Sequence, residues 1–125
     1  MMIQRIRVCK KLWIVNKPEI SEVGPDDMYN PWYNILVKEG TGTLQYQGKW
    51  NLFDQIIMTP NLLNKNGEKD YSELKFWKNQ IFRRDYLFQE AGKYKGNTKR
   101  TTAGGVWLDG YSDHLPVVAY FVKEQ

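Results

Sequence analysis

The sequence predicts an α+β domain, mainly antiparallel sheet with long loops, and three observations carry that expectation. Residues 114–124, HLPVVAYFVKE, concentrate Val, Tyr and Phe in one run, the composition of a buried strand. Residues 43–59, TLQYQGKWNLFDQIIMT, hold two strand-like stretches around a Gly48-Lys49 turn, the pattern of a hairpin. One short stretch, 30–40, carries both a helix start and a helix stop. Strands, one or two short helices and long loops make a layered sheet arrangement rather than a bundle. At 125 residues, 42% hydrophobic and 14% aromatic, the chain suits one domain with a real core.

Taken in order, residues 3–15 alternate poorly and fit the beginning of either a helix or a strand. Residues 16–31 carry three Pro, one Gly and several carboxylates, which reads as a long surface loop. Asn30 and Pro31 are suited to an N-cap and a first helical position, and Gly40 to a stop, so a short helix is expected between them. After the hairpin, Thr59-Pro60 breaks the strand, and NLLNKNGEKD is a turn or short helical excursion. Residues 71–89 are ambiguous. Leu74, Trp77 and Ile81 recur at near-helical spacing, yet a strand with a bend is favoured. Residues 90–105, EAGKYKGNTKRTTAGG, read as a long basic loop, a kind often functional in compact domains.

Composition narrows the classes. No apolar run approaches the roughly 18 residues of a membrane-spanning helix. The start of the chain lacks the apolar core and small-residue cleavage site of a signal peptide, and nothing in the sequence points to one compartment. Cys9 is the lone cysteine, expected to be a buried free thiol, so no internal disulfide exists. The net charge of +4 suits a polyanionic partner without requiring one. One histidine and one cysteine cannot build a Cys/His zinc site, no phosphate-cradling glycine loop occurs, and Ser112 has no nucleophile-elbow context.

The chemistry concentrates at GYSDHLPVVAYFV (110–122), which holds the single histidine. A carboxylate that accepts one ring N–H orients an imidazole and leaves its other nitrogen for a substrate. Adjacent strand residues face opposite ways, so Asp113 is poorly placed to orient His114. Asp54, inside the apolar run WNLFDQIIMTP, is the better candidate, because a carboxylate in such a strand is costly unless paired. The residues alone leave a solvated or merely hydrogen-bonded histidine open.

The blocks WNLFDQIIMTPNLL (50–63) and GYSDHLPV (110–117), in that order, resemble the C-terminal part of the endonuclease/exonuclease/phosphatase superfamily, the deoxyribonuclease-like metal-dependent phosphoesterases. The segments between and before them are similar to bacterial members, so the resemblance spans residues 28–123 and leaves residues 1–27 unplaced. It implies that residues 1–125 form a single partial domain, the C-terminal half of a two-layer β-sandwich flanked by helices. It implies a catalytic pair in which Asp54 hydrogen-bonds His114, with His114 at the scissile phosphate. Asp113 is implied to help hold a divalent metal, Mg²⁺ or Mn²⁺ in the complete family domain. The basic loop of Lys93, Lys95, Lys99 and Arg100 would lie near the polyanion, with Lys99 and Arg100 as substrate-binding candidates.

The chain departs from the family pattern in lacking the Asn, the metal-binding Glu and the Gly-Asp-x-Asn motif of the N-terminal half. Asp26 or Asp27 would be a poor substitute, and Asp109 replaces a usually neutral residue. The expectation is therefore a phosphoester hydrolase module, acting on a phosphoester or nucleic acid, whose active site is incomplete in this chain alone. A half-sandwich would expose an apolar sheet face, which a homodimer or a separate chain supplying the missing half would cover. A second reading is a non-catalytic remnant that self-associates or binds polyanions, and a third is a fragment stable only through association. DNA, RNA, phospholipid head groups and small phosphoesters all remain open as substrates.

Overall fold

Antiparallel pairing of the two longest strands, one mid-chain and one C-terminal, organises the protein. The structure, a computed structural model, describes residues 19–65 and 67–125. The expectations for residues 3–15 and for Cys9 lie outside the described residues, as does the beginning of the loop expected at 16–31. In chain order the elements are α1 (Trp32–Asn34), β1 (Leu44–Tyr46), β2 (Lys49–Asn51), β3 (Lys75–Ile81), β4 (Thr102–Ala103), β5 (Val106–Trp107) and β6 (Val117–Val122). Single 3₁₀ turns lie at Ile20–Glu22, Pro60–Leu62 and Asp85–Leu87. Among the described residues the strands form three antiparallel two-stranded sheets, β1–β2, β3–β6 and β4–β5. The architecture is thus α+β with small antiparallel sheets. These sheets do not by themselves amount to the two-layer sandwich that the resemblance implies.

The expected short helix is present, in two parts. The Asn30 side chain accepts the Trp32 N–H at 3.1 Å, satisfying one of the helix's open donors. Three α-helical residues then widen into a π turn, Ile35–Glu39, and Gly40 ends it with φ 67° while donating its N–H to Leu36 O.

The hairpin turns one residue earlier than expected, at Gln47-Gly48, whose φ values are 49° and 75°. Two-residue hairpin loops of this kind need positive φ at both central residues. Lys49, expected in the turn, instead pairs with Tyr46. The second strand stops at Asn51 rather than running on to Thr59. Beyond it the chain leaves the ladder, and only Met58 pairs again, exchanging two backbone hydrogen bonds with Tyr29. The basic segment 90–105 is likewise not all loop, since its end makes the β4–β5 ribbon around Gly104-Gly105.

The segment 71–89 does contain a strand with a bend, and the bend has a defined cause. The β3–β6 register slips between Phe76 and Lys78, so Trp77 is the extra residue of a β-bulge. Ile81 and Asn79 face inward opposite Val117 and Ala119, and after the bulge Phe76 faces inward opposite Phe121. Without the extra residue Trp77 would take the inner position and Phe76 the outer one. Instead Trp77 and Lys78 both point outward, where Trp77 meets Tyr120 edge-on. This is why strict alternation fails in the sequence.

Two core clusters lie along the inner face. Trp32, Ile35, Leu36 and Leu52 pack against Ile81, Val117 and Ala119. Val23, Tyr29, Met58 and Leu63 pack against Phe76 and Phe121. Burial also raises the pKa of the Tyr29 hydroxyl, because the phenolate would be poorly solvated there.

The bulge gives a direct test in urea denaturation. Phe76→Ala should cost about 2–4 kcal/mol, in the range of large-to-small core changes. Trp77→Ala, at a position 57% exposed, should cost about 1 kcal/mol or less. The reverse order would mean that Trp77, not Phe76, faces the core.

Candidate functional site

Thr43, fully buried, joins the segments that carry the candidate residues. Its N–H donates to Asn51 O at 2.8 Å, and its carbonyl accepts the Leu115 N–H at 2.7 Å. Its hydroxyl oxygen accepts the N–H groups of Phe53 (3.2 Å) and Asp54 (3.3 Å), which have left the β-ladder. One residue thus fixes the backbone at Asp54 and, from the other side, the backbone next to His114. Leu115, 1% exposed, anchors the His114 segment in the interior, and His114 itself pairs with Leu44 beside β1.

The outcome is a carboxylate–imidazole pair across sixty residues of sequence, with His114 Nδ1 2.7 Å from Asp54 Oδ2. Each side chain is 39% exposed, so the pair is half-open to solvent. The carboxylate can only accept when ionised, so Nδ1 is the donor and Nε2 is the nitrogen left for a ligand. The Phe53 ring lies 6.2 Å from the imidazole, and the Ser112 hydroxyl oxygen accepts the His114 N–H at 3.0 Å. Gln55 is held on two sides, by Asn30 Nδ2 on its carbonyl (2.6 Å) and by its own amide on Leu52 O (2.8 Å).

Asp113 is not part of this pair. Its carboxylate is 4.0 Å from Arg100 Nη2, an exposed ion pair worth at most about 1 kcal/mol. Its backbone carbonyl accepts the Thr98 hydroxyl at 2.9 Å. Among the described residues no three His, Cys, Asp or Glu side chains come together to hold a metal ion. A hard divalent ion needs an oxygen-rich shell, whereas Asp113 offers a single carboxylate facing a guanidinium. The described residues therefore do not fit a self-sufficient metal site.

Lys99 and Arg100 run beside the histidine segment. The Gly110 N–H donates to Arg100 O at 3.1 Å, and Thr101 Oγ1 donates to Gly110 O at 3.0 Å. A Cβ at Gly110 would stand 1.9 Å from Lys99 O, so only glycine lets these two backbones approach. On the other side the Lys99 N–H donates to Leu87 O at 2.8 Å. Arg83 ties that neighbour to the hairpin by lying over the rings of Trp50 and Phe88, at 4.7 and 5.0 Å. Partial burial lowers its pKa below the usual guanidinium value, although an arginine stays charged.

A cleft of about 360 Å³ between α1 and β3, lined by Tyr29, Asn34, Lys38, Thr41, Asn79 and Arg83 among others, lies apart from this pair. It lacks an imidazole or a paired carboxylate, so the chemistry is assigned to the Asp54–His114 pair. Of the residues predicted from sequence, the structure brings Asp54 and His114 together, sets Asp113 against Arg100, and leaves Lys99 alongside. Thr43 and Gln55 escaped that reading. Thr43 lies in an unremarkable Thr-Gly-Thr run, and nothing local marks a hydroxyl that accepts bonds from residues ten positions away.

The hub role of Thr43 is testable by melting or urea denaturation. Thr43→Val removes an acceptor from two N–H groups and should cost about 1–3 kcal/mol. Thr43→Ser, which keeps the hydroxyl, should recover most of that loss. Equal losses for Val and Ser would assign the effect to the methyl group instead.

The sequence model of the endonuclease/exonuclease/phosphatase family matches residues 12–123. No curated protein and no solved structure matches the chain. That match takes in nearly the whole sequence, including the segments that bring Asp54 and His114 together, and the chain therefore belongs to the endonuclease/exonuclease/phosphatase family, a family of phosphoesterase and nuclease type.

Proposed function

We propose that the chain is a C-terminal module of a metal-dependent phosphoesterase or nuclease. It contributes the Asp54–His114 pair to phosphodiester hydrolysis and does not turn over substrate alone. The observation that carries this reading is the 2.7 Å contact between Asp54 and His114 in a half-open setting, within a family of this type. The Asp54 carboxylate accepts the Nδ1–H and fixes the ring, leaving its Nε2 edge outward. The Nε2 edge then meets a phosphoryl oxygen, where a cationic donor lowers the energy of the charge that develops on hydrolysis. Arg100 and Lys99 add positive charge beside the same segment.

The family is generally metal-dependent, and Mg²⁺ or Mn²⁺ is the ion this reading expects in the complete site. Asp113 would supply one oxygen to it at most. No step here is routed through the ion, because the described residues do not assemble its remaining ligands. In this reading β3 and β6 belong to one layer of a two-sheet sandwich. Their outer face leaves Trp77 57% and Val122 37% exposed, a surface that a second copy or a separate chain would cover. Among the described residues no helix is long and apolar enough to cross a membrane.

Two measurements test the proposal. His114 is the chain's single histidine, so its ring protons give one resolved NMR signal set. Titration with inorganic phosphate should move those signals, and Asp54→Asn should weaken the response several-fold. In parallel, hydrolysis of bis-p-nitrophenyl phosphate in Mg²⁺ should be negligible for both the wild-type chain and His114→Ala. An unmoved His114 would remove the phosphate-facing role. Turnover that His114→Ala abolishes would show that the chain assembles a complete site.

A further inference from the structure

The charge of this protein is concentrated. Between Arg83 and Arg100 lie six of its eighteen basic side chains and only two of its fourteen acidic ones, so this stretch holds the entire excess of +4. The remainder of the chain is neutral. The structure lays this stretch against the histidine segment. Phe88 pairs with Thr98, and the Lys99 N–H donates to Leu87 O. On the other side of Thr98–Thr101 run Leu108 to Asp113, bonded through Leu108 N–H to Thr101 O and Gly110 N–H to Arg100 O.

Two tyrosines flank the middle strip of this three-segment array. Tyr86 and Tyr111 pack edge to face with ring centroids 5.7 Å apart, yet they remain 55% and 74% exposed. Large aromatic side chains left this open, among exposed cations, have not been placed by core packing. Tyr111 precedes His114 by three residues, a span of at most about 11 Å along the backbone. A sequence-tolerant site for single-stranded nucleic acid needs this combination: cations that track the phosphates, and aromatic faces on which bases stack.

We propose that the Tyr86–Tyr111 pair is a base-stacking platform, and that the phosphoester presented to His114 belongs to a strand with unpaired bases. The specificity claim rests on the functional reading above, in which His114 faces phosphate. Lys99 and Arg100 hold the backbone, and an exposed tyrosine ring takes a base next to the phosphate. A small aliphatic phosphoester has no flat face to lay on the paired rings, whereas every nucleobase has two. A duplex keeps its base faces stacked on one another and offers them poorly.

The test compares two labelled strands of equal length and charge, oligothymidylate and its abasic counterpart, by fluorescence anisotropy with the full chain. Stacking predicts that oligothymidylate binds at least about fivefold tighter, the low end for one stacked base. Tyr86→Ala/Tyr111→Ala should erase that difference while leaving the abasic strand's affinity and the melting temperature unchanged, since both rings are exposed. Equal binding of the two strands by the wild-type chain would overturn the platform. So would a double variant that weakens both strands alike. Binding to phosphatidylserine-containing vesicles that the same substitutions abolish, without an effect on oligothymidylate, would assign the rings to a lipid surface instead. The phosphate titration of His114 separates the two claims. A response to phosphate without any preference for bases sinks the platform alone, whereas no response to phosphate sinks the underlying reading.

Discussion

The site depends on Thr43 being buried with all of its hydrogen-bonding groups engaged. Asp54 stands past the end of β2, where the ladder no longer supplies partners for the backbone N–H groups. N–H groups shielded from water without acceptors are costly, and the Thr43 hydroxyl accepts two that are partly buried. The same residue's carbonyl holds the Leu115 N–H, and Leu115 is pinned in the interior next to His114. The carboxylate and the imidazole are therefore positioned by one residue acting in two directions. A rotation at either backbone would open the 2.7 Å contact between them.

The inner face of β3–β6 plays the supporting part. The bulge at Trp77 lets Phe76 and Ile81 both reach the core side of one strand, and the two core clusters attach there. Cluster residues on α1 and its π turn, with Leu52, bring the segment preceding Asp54 against β6. The chain then enters β6 through His114, Leu115 and Pro116, with Pro116 O accepting the Phe82 N–H. Positioning of the pair and packing of the core are thus parts of one arrangement, whereas Tyr86 and Tyr111 beside the pair stay largely exposed.

Much of this was legible in the sequence, and the failures have physical causes. Asn30 and Gly40 bounded the helix because capping is a local property of one or two residues. The C-terminal strand was legible because its composition permits little else. The hairpin turn lies one residue earlier than the sequence suggests, since Gly48 fits either central position and Gln47 at φ 49° gives no sign of itself. β2 is shorter than its sequence suggests, because apolar composition does not reveal where a side-chain hydroxyl takes over from the ladder. The bulge was hidden for the same reason that it matters, since an extra residue breaks the alternation by which strands are recognised. At the site, Asp54 and His114 could be singled out as costly or scarce groups in apolar runs. The placement of Asp113 against Arg100 could not, because that contact depends on the close approach of two loops at Gly110.

The central claim is that Asp54 holds the imidazole by Nδ1 and leaves Nε2 for phosphate. The most direct measurement is the protonation pattern of the His114 ring nitrogens, read from long-range ¹⁵N–¹H correlations of the single histidine in its neutral form. The account predicts the proton on Nδ1 in the wild-type chain and a shift of population toward Nε2–H in Asp54→Ala. A wild-type ring already protonated on Nε2, or a pattern that Asp54→Ala leaves unchanged, would contradict it.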